Sequence, residues 1–503
     1  MKEHYDVIIV GTGAAGLYCA LNLPEKMKIL LITKQEADQS DSFLAQGGIC
    51  MLRGEDDYEN YFEDTMRAGH YENNKRAVDL MIRSSNDIIR DLLRYHVDFA
   101  RDGLGNLAFT REGAHSQPRI LFHEDITGKE ITQTLLTAAK IKENIEICEY
   151  MTMVDLISKD NTVCGIIAMD RNDQAFPVYS QYVVLACGGI GGLFKNSTNF
   201  SHIAGDGVGI AMKHHVEMEN LDYIQIHPTT LYSKKSGRRF LVSESVRGEG
   251  ALLYDKNGQR FTNELQPRDL LSQKIFTQME KDGTEFVWED MRPLGEKTIL
   301  EHFPHIYEQC VEEGFDPRKE PIPVVPAQHY FMGGIKVNLG SKTSMKGLYA
   351  CGETSCNGVH GRNRLASNSL LESLVFARKA ADDMIFGQTP EYVRADAIDM
   401  NMYESREELL NACHETVLKE IERIKPDFLV TSLVLENADG FEVLAYMNKN
   451  HIIDDVPVIM ISCADSEAYI RRAYGLGVVD YISRPFDSKI VYQRVTNTIK
   501  LYS

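Results

Sequence analysis

The chain has 503 residues, of which 43% are hydrophobic and 25% charged, with a formal net charge of −19. At about 100–200 residues per domain, that is a globular protein of two to four domains. So acidic a surface repels phosphate backbones and anionic lipid, which argues against nucleic acid and membrane surfaces as partners.

MKEHYD leads into an apolar run too short for a secretory signal, and no stretch reaches the roughly 18 apolar residues of a membrane span. The ten cysteines show neither zinc spacing nor a disulfide framework. Reduced thiols in the cytoplasm are therefore expected. The basic stretch 233–240 reads as a solvated loop.

From the N-terminus, HYDVIIV reads as a buried strand, GTGAAG as a turn, LYCALNL as the start of a helix and MKILLIT as a second strand. This βαβ unit opens an α/β domain. Helical patterns follow at 57–68 and 76–95, and residues 145–189 turn to β texture. Helices return at 269–280 and 295–313, GLYACGE (347–353) is a buried strand, and the segment after Asn368 is an amphipathic helix. Residues 387–402 read as a linker, and the last 80 or so residues as a small parallel α/β unit.

Gly11, Gly13 and Gly16 stand between the first strand and the first helix in GxGxxG spacing. The first glycine permits a tight turn, the second a close approach of backbone to a pyrophosphate, and the third close helix–strand packing. The helix N-terminus attracts the phosphate charge. An acid is expected about 20 residues on for a ribose hydroxyl. Here the second strand ends at Thr33-Lys34, and Glu36 lies past it, so that part of the pattern fails.

VIIVGTGAAG, FLAQGGI (43–49), GDGVGIAM (205–212), GLYACGE and RLASNSLLE (364–372) follow one another in this order. Together they resemble the superfamily of succinate dehydrogenase and fumarate reductase flavoprotein subunits and L-aspartate oxidases, over roughly residues 1–385. The resemblance implies FAD. Its contacts would be Gly11, Thr12, Gly13, Ala14, Ala15, Gly16, Lys34, the loop of Asp41, Ser42, Phe43, Leu44, Ala45, Gln46, Gly47 and Gly48, then Asp206, Glu353, Ser369 and Leu370. A lysine at position 34 is usual in the aspartate oxidase branch.

Within that superfamily the respiratory members carry a flavin-linking histidine where this chain has Asp41, so non-covalent FAD is expected. TREGAHSQPRILFHEDITGKE (110–130) resembles the aspartate oxidase signature, in which Glu112 meets the substrate ammonium. A dicarboxylate calls for convergent cationic or donor groups. His227, His329, Arg268 and Arg364 stand in the family's substrate motifs, with Arg268 in the proton-transfer position. Two departures are Ala114, where the family usually has glycine, and Arg362, where it has alanine. An alanine forced to positive φ would cost roughly 1 kcal/mol. Arg362 would either alter carboxylate binding or point to solvent.

The resemblance implies oxidation of L-aspartate to iminoaspartate, with O2 or fumarate as acceptor and quinolinate synthase as the metabolic partner in NAD biosynthesis. A soluble fumarate reductase and a non-catalytic flavin sensor are the rival readings. The expected fold is α/β: a Rossmann-like FAD-binding domain (1–232 and 330–388) with an inserted α+β capping domain (233–329), then a linker and helix (389–420). The tail (421–503) resembles a partial response-regulator receiver. Ser432 takes its phosphoacceptor position, Arg484 its lysine position, and only Ser462 fits. No phosphorylation is expected there, and a structural or dimerising role is.

Overall fold

The computed structural model describes residues 2–235, 237–389, 393, 395, 397–423, 429–431, 440–449, 452–453, 456–462 and 467–483. Its contacts divide the chain into a unit of residues 1–418 and a second of residues 419–503.

The larger unit opens with β1 (His4–Val10), α1 (Ala14–Asn22) and β2 (Ile29–Thr33). Two helices follow, α2 (Glu55–Ala68) and α3 (Lys75–Arg94), the second capped by Asn74, whose side chain accepts from the N–H groups of Arg76 and Ala77. After α4 (Thr127–Lys140) come β3 (Ile145–Glu149), β4 (Thr152–Lys159), β5 (Thr162–Met169) and β6 (Ala175–Leu185). A late strand, β11 (Leu348–Ala350), completes a seven-stranded sheet in which β3-β2-β1-β6-β5-β4 are neighbours and β11 pairs with the end of β6. The pairings of β1 with β2 and β6, of β2 with β3 and of β6 with β11 are parallel, while β4-β5-β6 form an antiparallel meander. Val7, Ile8 and Ile9 are fully buried, as continuous apolar runs in a sheet covered on both faces require.

Between β6 and β11 the chain also builds a four-stranded antiparallel sheet. It comprises β7 (Ile224–Leu231), β8 (Leu252–Tyr254), β9 (Val287–Asp290) and β10 (Ile322–Phe331), in the order β7-β10-β9-β8. After the short helix α6 (Glu244–Gly248), the helix α7 (Arg268–Asp282) packs beside β7, and Leu253, Leu271, Ile275 and Val324 form a core there. The helix expected over 295–313 is two helices, Glu296–His302 and Pro304–Glu312. Pro304 lacks an N–H to continue the first and has the fixed φ suited to starting the second.

The larger unit also holds α5 (Asp206–Lys213), α8 (Asn368–Phe386) and, as far as Leu418, α9 (Arg406–Arg423). In the second unit, the strands Leu429–Thr431, Val458–Ser462 and Asp480–Ser483 form a parallel sheet. The helices Gly440–Lys449 and Glu467–Gly475 accompany it, and Phe441, Leu444, Val458 and Met460 form its core. Ser462 ends the middle strand and is buried, while Ser432 and Arg484 lie outside the described residues.

Candidate active site

At the carboxyl ends of β1 and β2, the glycine turn has the tightness its spacing predicts. Gly11 has φ +114, and a Cβ there would lie 2.1 Å from the Ala186 carbonyl oxygen. One on Gly16 would lie 2.0 Å from the Gly11 carbonyl oxygen, so this glycine serves packing and does not line the cavity. Ala14 also lies behind the wall, its N–H donating to Ser42 Oγ at 3.2 Å.

A cavity runs from Ile32, Thr33 and Lys34 past Thr12, Gly13 and Ala15 to Glu112, His227 and Arg364. Of the expected contacts, Lys34, Asp41, Ser42, Leu44, Ala45, Gln46, Gly47, Gly48, Asp206, Glu353, Ser369 and Leu370 line it, and Phe43 does not. Four buried polar atoms on its lining residues have no partner among the described residues: Ser40 Oγ, Gln46 Oε1, His227 Nε2 and Arg364 Nε. Buried polar groups left unpaired on a cavity wall are groups that a ligand satisfies. The glycine cradle, the helix N-terminus and the unpaired polar groups of the lining fit FAD.

Asp41 does not face outward as a spare carboxylate. It accepts from Asn199 Nδ2 and from the Phe200 N–H, both at 2.9 Å, and burial pushes it up to about 6. Lys34 pairs with Asp206, whose other oxygen takes a hydrogen bond of 2.7 Å from His414 Nε2. Lys34, which stands where the pattern expects an acid, thus has a carboxylate partner from another part of the chain.

At the other end, β7 and β10 bring His227 and His329 together, with ring centroids 5.1 Å apart, edge to face. His227 is fully buried, with Nδ1 2.9 Å from the Thr229 carbonyl oxygen. His329 Nδ1 lies 2.7 Å from Thr198 Oγ1. Burial and the nearby Arg268 hold both imidazoles far below the usual histidine range, hence neutral. An anion arriving beside them would favour the protonated form.

Arg364 is buried over the Tyr330 ring, 4.4 Å from its centroid, and donates to Ser369 Oγ at 3.0 Å. Burial, then Arg268, lower it to about 10. Arg268 begins α7 and is buried. Its Nε donates to Glu244 Oε2 at 2.7 Å and a terminal nitrogen to Gln225 Oε1 at 2.9 Å.

Glu112 is buried too, and its oxygens accept from Ser245 Oγ at 2.8 Å and Ser367 Oγ at 2.5 Å. Burial and the neighbouring Glu244 raise its carboxyl above the ordinary glutamate range. Ser367 sits at φ +59 at the start of α8 and also accepts from the Gly48 N–H at 3.1 Å. Strain of this kind gathers where a site dictates geometry.

The Glu112 segment is anchored by Arg119, fully buried, which donates to Asp57 and Asp64 on α2. Ala114 in this segment has φ +64, so the departure from glycine does carry backbone strain. Ala114→Gly is expected to stabilise the protein by about 1 kcal/mol, read as a higher urea midpoint. Arg362 turns away from the cavity. Its side chain is 58% exposed, 3.7 Å from Glu72, with its guanidinium over Tyr223.

Glu244, Gln225, Ser245 and Ser367 escaped the sequence reading. Glu244 meets its arginine across 24 residues of chain, a pairing with no local signature.

Glu353 accepts from the Phe331 N–H at 2.9 Å and is pushed up to about 8 by burial. A carboxyl raised on folding binds more protons folded than unfolded, so stability falls as pH rises from the ordinary glutamate value to about 8. Each pH unit there costs about 1.4 kcal/mol. Glu353→Gln is expected to flatten that loss in the apoprotein, checked by thermal unfolding at pH 6 and pH 8.

Residues 6–370 match the family model described as an FAD binding domain, and residues 407–496 the one described as a response regulator receiver domain. The chain is 50% identical over 382 residues to the L-aspartate oxidase of Clostridium perfringens (strain 13 / Type A), covering 76% of this chain and 87% of that one. It is 46% identical over 385 residues to the L-aspartate oxidase of Clostridium acetobutylicum, covering 76% and 88%. Among solved structures it is similar to an E. coli quinol fumarate reductase, with a TM-score of 0.72 and 28% identity over 99% of this chain and 86% of that one. With a dinucleotide cradle made by its own glycines and relatives this near spanning most of both chains, the chain belongs to the L-aspartate oxidase family of FAD-binding flavoproteins.

Proposed function

We propose that the chain oxidises L-aspartate to iminoaspartate, and that the observation carrying this reading is the charge pattern at one end of the cavity. A buried carboxylate, Glu112, stands in the same pocket as Arg364, His227, His329 and Arg268. An α-amino dicarboxylic acid has the complementary pattern, one cation and two anions. Succinate or fumarate would give Glu112 no ammonium to pair with.

Bound FAD, held without a covalent link, supplies the hydride-accepting chemistry. Arg364 and the two histidines hold the carboxylates and fix the orientation of the substrate, which is catalysis by positioning. Glu112 receives the ammonium. Arg268, tied to Glu244 through Nε, takes the proton-transfer role. An arginine acting as proton carrier is unusual, because its pKa exceeds about 12 in water. The substrate would enter between an FAD-binding domain of residues 1–232 and 330–388 and a capping domain of residues 233–329, and closure would exclude water.

O2 or fumarate is the final acceptor. Quinolinate synthase is the enzyme that would use the product, in the cytoplasm; among the described residues no helix is long and apolar enough to cross a membrane.

The test is to mix L-aspartate with the FAD-loaded chain without oxygen. Loss of the oxidised-flavin absorbance is expected, and persistence of that absorbance would reject the assignment.

A further inference from the structure

We infer that His414 is a positioning residue for the nucleotide end of the FAD site, and that through it FAD binding is coupled to the docking of α9. The inference rests on reading the cavity as the FAD site.

In a strand-turn-helix dinucleotide fold, the residue that ends the second strand stands at the nucleotide's ribose. Here the residue just past the end of β2 is Lys34, which can donate but cannot accept. Its side chain is held by Asp206 Oδ2, and both residues line the cavity. His414 lies behind the wall, its Nε2 2.7 Å from Asp206 Oδ1. The hydrogen bonds from His414 and Lys34 hold Asp206 below the ordinary aspartate range despite its burial. It is therefore a carboxylate that only accepts, so His414 Nε2 carries the hydrogen. Without His414, one oxygen of this part-buried carboxylate loses its donor. Asp206 must then turn toward another, drawing Lys34 from the ribose.

A second observation shows α9 seated flush on this wall. A Cβ on Gly209, inside α5, would lie 2.7 Å from Cys413 Cβ and 2.8 Å from the Cys413 carbonyl oxygen. Cys413 and Val417 on the same helix are buried, Cys413 in a cluster with Ile210, Ala211 and Val216. The glycine lets the two helices close up and brings the histidine, one residue on, to Asp206. Any change in the docking of α9 at His414 therefore reaches Asp206 and the cavity wall. By linkage, cofactor binding stabilises the docked helix by the same free energy.

The test uses the full-length apoprotein titrated with FAD, followed by quenching of flavin fluorescence, with hydrogen exchange of residues 406–418 measured before and after loading. His414→Ala is expected to weaken FAD binding about tenfold, the loss of one charge-assisted hydrogen bond. His414→Gln, which keeps an N–H donor, should recover most of it. Exchange in 406–418 should slow on FAD loading in the wild type and not in His414→Ala. Gly209→Ala, which puts a methyl group against Cys413, should reproduce the His414→Ala defect.

An unchanged FAD affinity in His414→Ala, with apo and loaded melting temperatures lowered equally, would mean a merely structural histidine and overturn the inference. A wild-type chain that bound no FAD would overturn the cofactor reading, and this inference with it.

Discussion

Arg364→Met is expected to lower kcat/KM for L-aspartate by roughly three orders of magnitude while the melting temperature of the FAD-loaded protein stays the same or rises. The two halves of this result come from one observation. Among the described residues, no carboxylate pairs with the buried Arg364; it has a serine hydroxyl, an aromatic face and an Nε with no partner. A buried charge without a counter-ion destabilises the fold, and well-packed apolar replacements of buried charges are often neutral or stabilising. The lost cation–π contact opposes this by about 0.5–2 kcal/mol. A substrate carboxylate reverses the balance, because it supplies the missing anion in a site already desolvated. Removing one member of such a pair costs about 2–5 kcal/mol. Steady-state kinetics and a thermal melt on the same preparation decide the matter. Activity kept within tenfold, or a loss matched by a large drop in melting temperature, would place Arg364 among ordinary structural arginines.

How much of this could be read from the chain depended on whether the physics was local. The glycine turn was legible because Gly11 and Gly16 answer steric demands set within a few residues of each other. The helix at 296–312 was legible in extent but not in its break, although Pro304 was in plain view. Lys34 looked like a failed motif, because its acid, Asp206, lies 172 residues away on a different element. The same holds for Glu244, which no spacing rule ties to Arg268, and for Ser367, whose hydroxyl reaches Glu112 across 255 residues. Glu112, His227, His329 and Arg364 were found through family motifs. Composition and periodicity would have left each of them a common buried or surface residue. The geometry adds what the motifs could not state: which of these groups are already paired, and which are not.

That difference is sharpest at Glu112, where Glu112→Gln is expected to lower kcat/KM for L-aspartate by about two to three orders of magnitude. Binding of succinate or fumarate should be left unchanged or improved. The amide has the shape of the acid, and its oxygen still accepts from one of the two serines that hold the carboxylate. What it lacks is charge. Losing an ion pair with a buried ammonium is worth about 2–5 kcal/mol, and a ligand without an amine has no such pair to lose. The pH dependence follows with a definite sign. Burial and Glu244 raise the Glu112 carboxyl, and only its ionised form attracts an ammonium. In the wild type, kcat/KM should therefore fall as pH drops through that raised value, earlier than an ordinary glutamate would cause. In Glu112→Gln this acid limb should disappear, because kcat/KM reports the groups of the free enzyme. The deciding measurement is the pH profile of kcat/KM for L-aspartate in both proteins, set beside inhibition by succinate. Equal weakening of aspartate and succinate would mean that Glu112 shapes the pocket and does not read the amine.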